Sequence, residues 1–157
     1  MLSLSYQKTL TILHNKFMNS GIEWYIIGKT NLALQGVDVE PSHLGIIIHD
    51  HDLDKFVSLF SEYKHNEINE LKNGDAKEFI MFIDDLKGQG LHDVELLVCA
   101  EYDHGIYWEV MNKPVMINLE NIQLPCFSLE SELQAYTKLG LLETAKKIEE
   151  VINKNSI

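Results

Sequence analysis

With 157 residues, 45% of them hydrophobic, the chain is long enough to bury a core and too apolar to be disordered, so one domain over 1–157 is expected. Its formal charge is −11, from 24 acidic and 13 basic residues, and every basic residue is a lysine; this excludes nucleic acid as a bulk partner, which needs concentrated positive charge, and removes the bidentate phosphate clamp that arginine supplies. The longest apolar runs, "GIII" and "VELLVCA", are too short to span a bilayer, "MLSLSYQKTL" lacks the parts of a signal peptide, and Cys99 and Cys126 match no metal or disulfide spacing, so a cytoplasmic protein with buried free thiols and no membrane partner is expected.

Apolar residues at Leu10, Leu13, Phe17 and Met18 predict an amphipathic helix over Leu2–Ser20, capped by Ser3 or Ser5 and stopped at Gly21. Glu23–Ile27 reads as a strand that runs into Gly28-Lys29-Thr30. Those three residues look like the close of a P-loop, but that loop needs a glycine five positions before Gly28, where Glu23 stands. A short helix over Thr30–Leu34, terminated by Gly36, follows instead. After the turn "VDVEPSH", Leu44–Ile48 is apolar throughout and predicts a central strand. His49–Tyr63 opens with "HDHDLD" and turns amphipathic through Leu53, Phe56, Val57, Leu59 and Phe60, which predicts a helix capped by Asp50 or Asp52. The alternating histidines and aspartates of His49–Asp54 are metal-like, but acids also belong at a helix N-terminus, and that reading is preferred.

Glu78–Asp84 is a predicted strand, Asp85–Gly90 a turn, and His92–Ala100 a further strand. Glu101–Val110, "EYDHGIYWEV", gathers two tyrosines and a tryptophan, which suit a cleft that stacks a ring ligand, a core or a dimer surface equally well. Lys113–Pro125 predicts a hairpin with Asn118–Asn121 at its tip. Two helices close the chain, Leu129–Leu139 after an N-cap at Ser128, and Leu142–Asn153. The fold class is therefore α/β (α+β), a small mixed sheet flanked by helices, with two helices at the C-terminus.

Four blocks in this order carry a likeness to a known family. "WYIIGKTNLALQGV", "PSHLGIIIHDHDLDKF", "HDVELLV" and "LPCFSLESELQAYTKLGLLETAKKI" together resemble the small bacterial and archaeal members of the nucleotidyltransferase fold, the minimal and aminoglycoside-type nucleotidyltransferases. The resemblance implies transfer of a nucleoside monophosphate from a nucleoside triphosphate to a hydroxyl. In that family a Gly-Ser turn meets the triphosphate, and an Asp-x-Asp strand with a third carboxylate holds two Mg²⁺ ions. Residues two apart on a strand share a face, which is why the pair is spaced so; hard Mg²⁺ takes oxygen ligands, which is why the residue type matters.

Placed on that pattern, this sequence departs from it. Lys29 stands for the serine, His43-Leu44-Gly45 for Asp-x-Asp, and Leu141 for the arginine of the family's "LGR". Glu95 is the sole retained carboxylate of the catalytic set. The expectation is a catalytically inactive nucleotidyltransferase-like protein, with no cofactor, that binds a small anionic ligand or nucleotide, or a protein partner or second copy. Ligand-binding residues are expected at Gly28, Lys29 and Thr30, and no metal site is expected: His43 with Glu95 offers two ligands, too few for tight binding. The alternatives are an active nucleotidyltransferase, using Mg²⁺ and a nucleoside triphosphate at an altered site, and an interaction module of the toxin–antitoxin type.

Overall fold

Leu10, Leu13 and Phe17 are buried along one side of α1 (Leu4–Phe17), and the Ser3 hydroxyl caps its N-terminus by accepting from the Tyr6 N–H at 3.3 Å. The computed structural model describes residues 2–72, 74–83 and 94–156. After α1 come β1 (Trp24–Ile27), α2 (Gly28–Leu34), β2 (Leu44–His49), α3 (Leu53–Leu59), β3 (Lys64–His65), β4 (Asn69–Glu70), β5 (Ala76–Ile83) and β6 (Val94–Glu101). The remainder is α4 (Ile106–Val110), β7 (Val115–Leu119), β8 (Ile122–Cys126), α5 (Leu129–Lys138) and α6 (Leu142–Asn155).

The strands form one mixed sheet in the order β3-β5-β6-β2-β1-β8-β7, with β4 also paired to β5. β2, apolar from Leu44 to Ile48, lies in its interior, antiparallel to β1 and parallel to β6. Its composition follows from being covered on both faces. Leu44, Ile46 and Ile48 join the larger core beneath α1 and α3, where Phe17 stacks on Trp24 with ring centroids 4.4 Å apart and Phe56 on Phe60 at 4.5 Å. Ile47 points to the opposite face and packs with Ile27, Val110, Phe127 and Ala135. Beyond these, Leu32, Leu129, Tyr136 and Ile148 join α2, α5 and α6.

Several sequence expectations need correction. Met18, placed on the apolar face of the first helix, is 54% exposed, because α1 ends at Phe17 and Asn19 and Gly21 then take positive φ. The helix expected over His49–Tyr63 is shorter. His49 closes β2, residues Asp50–Asp52 make a 3-10 turn, and α3 occupies only Leu53–Leu59. Asp52 is the N-cap position of α3 but makes no side-chain capping bond, while Asp50 pairs with Lys77 at 3.1 Å. The short helix after β1 starts at Gly28 instead of Thr30. The turn predicted at Asp85–Gly90, with Asp84 and His92 beside it, lies outside the described residues. Cys99 and Cys126 are buried free thiols. No helix among the described residues is long and apolar enough to cross a membrane.

Candidate functional site

The register that pairs Ile27 with Gly45 sets the end of β1 against the start of β2, and the pairing of Leu44 with Leu96 brings the start of β6 beside them. Gly28 sits at the junction of β1 and α2 with φ +75°, a left-handed conformation that glycine adopts without steric cost. Its N–H donates to Glu132 Oε2 at 2.8 Å. The same oxygen accepts from Asn31 Nδ2 at 2.7 Å, and Asn31 Nδ2 also donates to the Phe127 carbonyl at 2.9 Å. Gln35 Nε2 reaches both Asn31 Oδ1 and the Phe127 carbonyl, at 2.7 and 2.8 Å. A polar knot thus ties the turn and α2 to α5 and the end of β8.

Glu132 is fully buried, and its Oε1 has no hydrogen-bond partner among the described residues. Burial pushes its carboxyl up to about 8, and the donors from Asn31 and Gly28 offset that only in part. Burial and the neighbouring Glu132 also raise the Tyr136 phenol, whose oxygen lies above Gly28. Thr30 is buried as well, and its hydroxyl donates to the His43 carbonyl at 2.8 Å. Of the three residues expected to bind an anion, then, the Gly28 N–H and the Thr30 hydroxyl are engaged within the fold. Lys29 is exposed to solvent.

At the positions that the resemblance assigns to the metal-binding set, His43 and Glu95 face each other, Nε2 to Oε2 at 3.3 Å, both partly exposed. Gly45 is closed off for a different reason. A Cβ there would stand 2.9 Å from the Ile27 carbonyl oxygen, so β1 lies too near for any side chain without a backbone shift. Glu95 brings one carboxylate, His43 an imidazole and Gly45 nothing. These residues do not fit a pair of Mg²⁺ ions, which need several oxygen ligands.

Glu132 is the residue that sequence reasoning passed over. In "SLESEL" it looks like a second acid in the first turn after the Ser128 cap, where the helix dipole favours it. The signal was present in the period: Leu129, Glu132 and Tyr136 lie three and four apart on one stripe, and Leu129 and Tyr136 are buried with it. Tyr6 was missed too; its hydroxyl, raised by burial and then by Glu95, donates to the Pro41 carbonyl at 3.4 Å.

No protein-family model matches the sequence, and no curated protein matches it. Solved structures do match in fold. A proposed nucleotidyltransferase of Thermotoga maritima superposes with a TM-score of 0.69 at 20% identity, over 98% of this chain and 96% of that one. An antigenic nucleotidyltransferase-like protein of Paracoccidioides brasiliensis gives 0.60 at 17% identity, over 96% of this chain and 75% of its own. The lincosamide antibiotic adenylyltransferase LnuA, in a lincomycin-bound structure, gives 0.58 at 12% identity, over 92% and 96%. The chain has the nucleotidyltransferase fold, as the four sequence blocks imply.

Proposed function

We propose that this chain is a nucleotidyltransferase-fold protein that has lost nucleotide transfer and acts by binding. The observation that carries the reading is the state of the metal positions. Glu95 is the one carboxylate there, His43 approaches it at 3.3 Å, and the backbone of β1 stands where a side chain at 45 would go. Phosphoryl transfer by paired metals relies on ions that neutralise the leaving pyrophosphate and activate the attacking oxygen, and this set of residues cannot hold them. The binding role falls to the turn, where the Lys29 ammonium is the cation offered to a small anionic ligand or a nucleotide. Because the Gly28 N–H already serves Glu132, Lys29 carries most of any such affinity.

A melting-temperature panel of nucleoside tri- and monophosphates, each with Mg²⁺, Mn²⁺ or chelator, tests both halves of this reading. A ligand at a hundred times its dissociation constant adds about 2.7 kcal/mol, enough for a clear shift. The expected result is a nucleotide response that chelator leaves unchanged and that Lys29→Ala removes. A Mg²⁺-dependent response to ATP, abolished by Glu95→Gln, would show a working metal site and overturn the loss of transfer. Equal responses from wild type and Lys29→Ala would take the ligand away from the turn.

A further inference from the structure

The far end of β2 carries a constellation unrelated to the lost catalytic site. His43 stands just before β2 and His49 closes it, six residues on, about 20 Å away at ~3.3 Å per residue. β2 and β6 run parallel up to the pair His49 and Glu101, so the two chains leave the sheet side by side. One continues into the 3-10 turn that contains His51, the other into the turn that contains Asp103. Each of these three residues offers one ligand atom, and the atoms all lie within 4.8 Å of one another.

The arrangement behind His49 is what makes this more than a chance cluster. Its Nε2 meets Glu23 Oε1 at 2.8 Å, and Glu23 Oε2 in turn accepts from the Tyr25 hydroxyl at 2.7 Å. The ring is held flat against Trp108, centroids 3.8 Å apart and planes within 4°, and His51 also stacks on it at 4.9 Å. The backbone at Trp108 is itself anchored, since its main-chain N–H donates to the buried Glu101 carboxylate at 2.8 Å. Metal-bound histidines commonly give their second ring nitrogen to a carboxylate, which sets the tautomer and the ring orientation. Here Glu23 takes Nε2 and leaves Nδ1 aimed outward at Asp103 Oδ1, 3.3 Å away. An imidazole nitrogen and a carboxylate oxygen facing each other at this distance can both bind one metal ion. In a tetrahedral site with bonds of ~2.0–2.1 Å, neighbouring ligand atoms stand about 3.3–3.4 Å apart.

We propose that His49 Nδ1, His51 and Asp103 form a binding site for Zn²⁺ or a similar borderline divalent ion, with Glu23 as the outer carboxylate that orients His49. Two imidazoles and one carboxylate suit zinc and exclude Mg²⁺ as the preferred ion. Three protein ligands leave a fourth position to water or to a ligand from solution. His51 and Asp103 are 69% and 85% exposed, so the ion has open access and the His51 side chain has room to close the remaining distance.

The test is calorimetric titration of ZnCl₂ into the untagged full chain, with Co²⁺ absorption to report coordination geometry. Wild type is expected to bind one Zn²⁺ per chain. His51→Ala and Asp103→Asn change exposed side chains, so both variants should fold, and each should weaken zinc by about tenfold or more. Glu23→Gln should weaken it by ~10- to 100-fold, the usual effect of removing an outer-shell partner, without changing the stoichiometry. Wild type that takes up no zinc would overturn the proposal. So would His51→Ala and Asp103→Asn variants that bind as tightly as wild type, or binding that disappears only in His43→Ala.

Discussion

Glu132 places a buried ionisable group inside the joint between α2 and α5, and its energetics have a definite sign. The ordinary glutamate carboxyl titrates near 4.5, while in the folded chain burial holds it at about 8. Between those values the folded protein carries a proton that the unfolded chain has released. Stability therefore falls as pH rises through the window, at up to about 1.4 kcal/mol per pH unit from this one group. Glu101, raised chiefly by burial, works in the same direction; Glu23, where burial is outweighed by the hydrogen bonds of His49 and Tyr25 so that its carboxyl is lowered, works in the opposite one and matters at acid pH. Glu132→Gln keeps an oxygen for the Gly28 and Asn31 donors and cannot ionise. Denaturant midpoints measured from about pH 5 to pH 8 should decline for wild type, and the variant should show a visibly flatter profile. Parallel profiles would mean that Glu132 stays charged throughout, with its Oε1 reaching water.

At the scale of elements, the sequence was legible wherever a period ran long enough to state itself. The i, i+3, i+7 apolar positions Leu10, Leu13 and Phe17, the unbroken apolar run of β2, and the Ser128 cap before α5 each express a local preference that packing then reinforces. What stayed hidden is made by neighbours. β3 and β4 are two residues each and exist only by pairing with β5. α4, five residues long, opens after Gly105 and hangs on Glu101, and nothing in "GIYWEV" announces it without that buried carboxylate. The candidate site divides the same way. His43, Gly45 and Glu95 were singled out through the resemblance of the four sequence blocks, whereas the engagement of the Gly28 N–H by Glu132 spans 104 residues and no spacing encodes it. Gly105 gives a direct test of how α4 is held. A Cβ at 105 would overlap the Glu101 side chain, so Gly105→Ala must displace either the carboxylate or the helix. The expected outcome is a loss of about 1–3 kcal/mol in stability, typical of overpacking, with a changed Trp108 fluorescence as α4 shifts off His49. An unchanged spectrum at wild-type stability would show that Glu101 does not anchor the helix.

At the scale of the whole molecule, the sheet puts its apolar residues into the layers above and below, and the surface collects an excess of acid. Charge then acts in two opposing ways. Ion pairs such as Lys16–Glu62 at 2.6 Å and Lys77–Asp50 at 3.1 Å hold neighbouring elements together, and salt weakens them. Each joins only two side chains at the partly exposed periphery, so their combined effect is local. Against them stands a net charge of −11 spread over 157 residues, which repels itself in the compact state and is relieved when salt shortens the screening length to about 10 Å at 0.1 M. The excess outweighs the pairs, so the melting temperature should rise as NaCl is added from low ionic strength. The identity of the anion then separates generic screening from a specific site. If screening is all that acts, chloride and sulfate at equal ionic strength should do the same below the range where sulfate strengthens hydrophobic burial. An anion held by Lys29 should make sulfate or phosphate the more stabilising even at low concentration, and Lys29→Ala should bring the two salts back into line. A melting temperature that falls on the first addition of NaCl would mean that the ion pairs, and not the surplus of acid, govern the electrostatics of this fold.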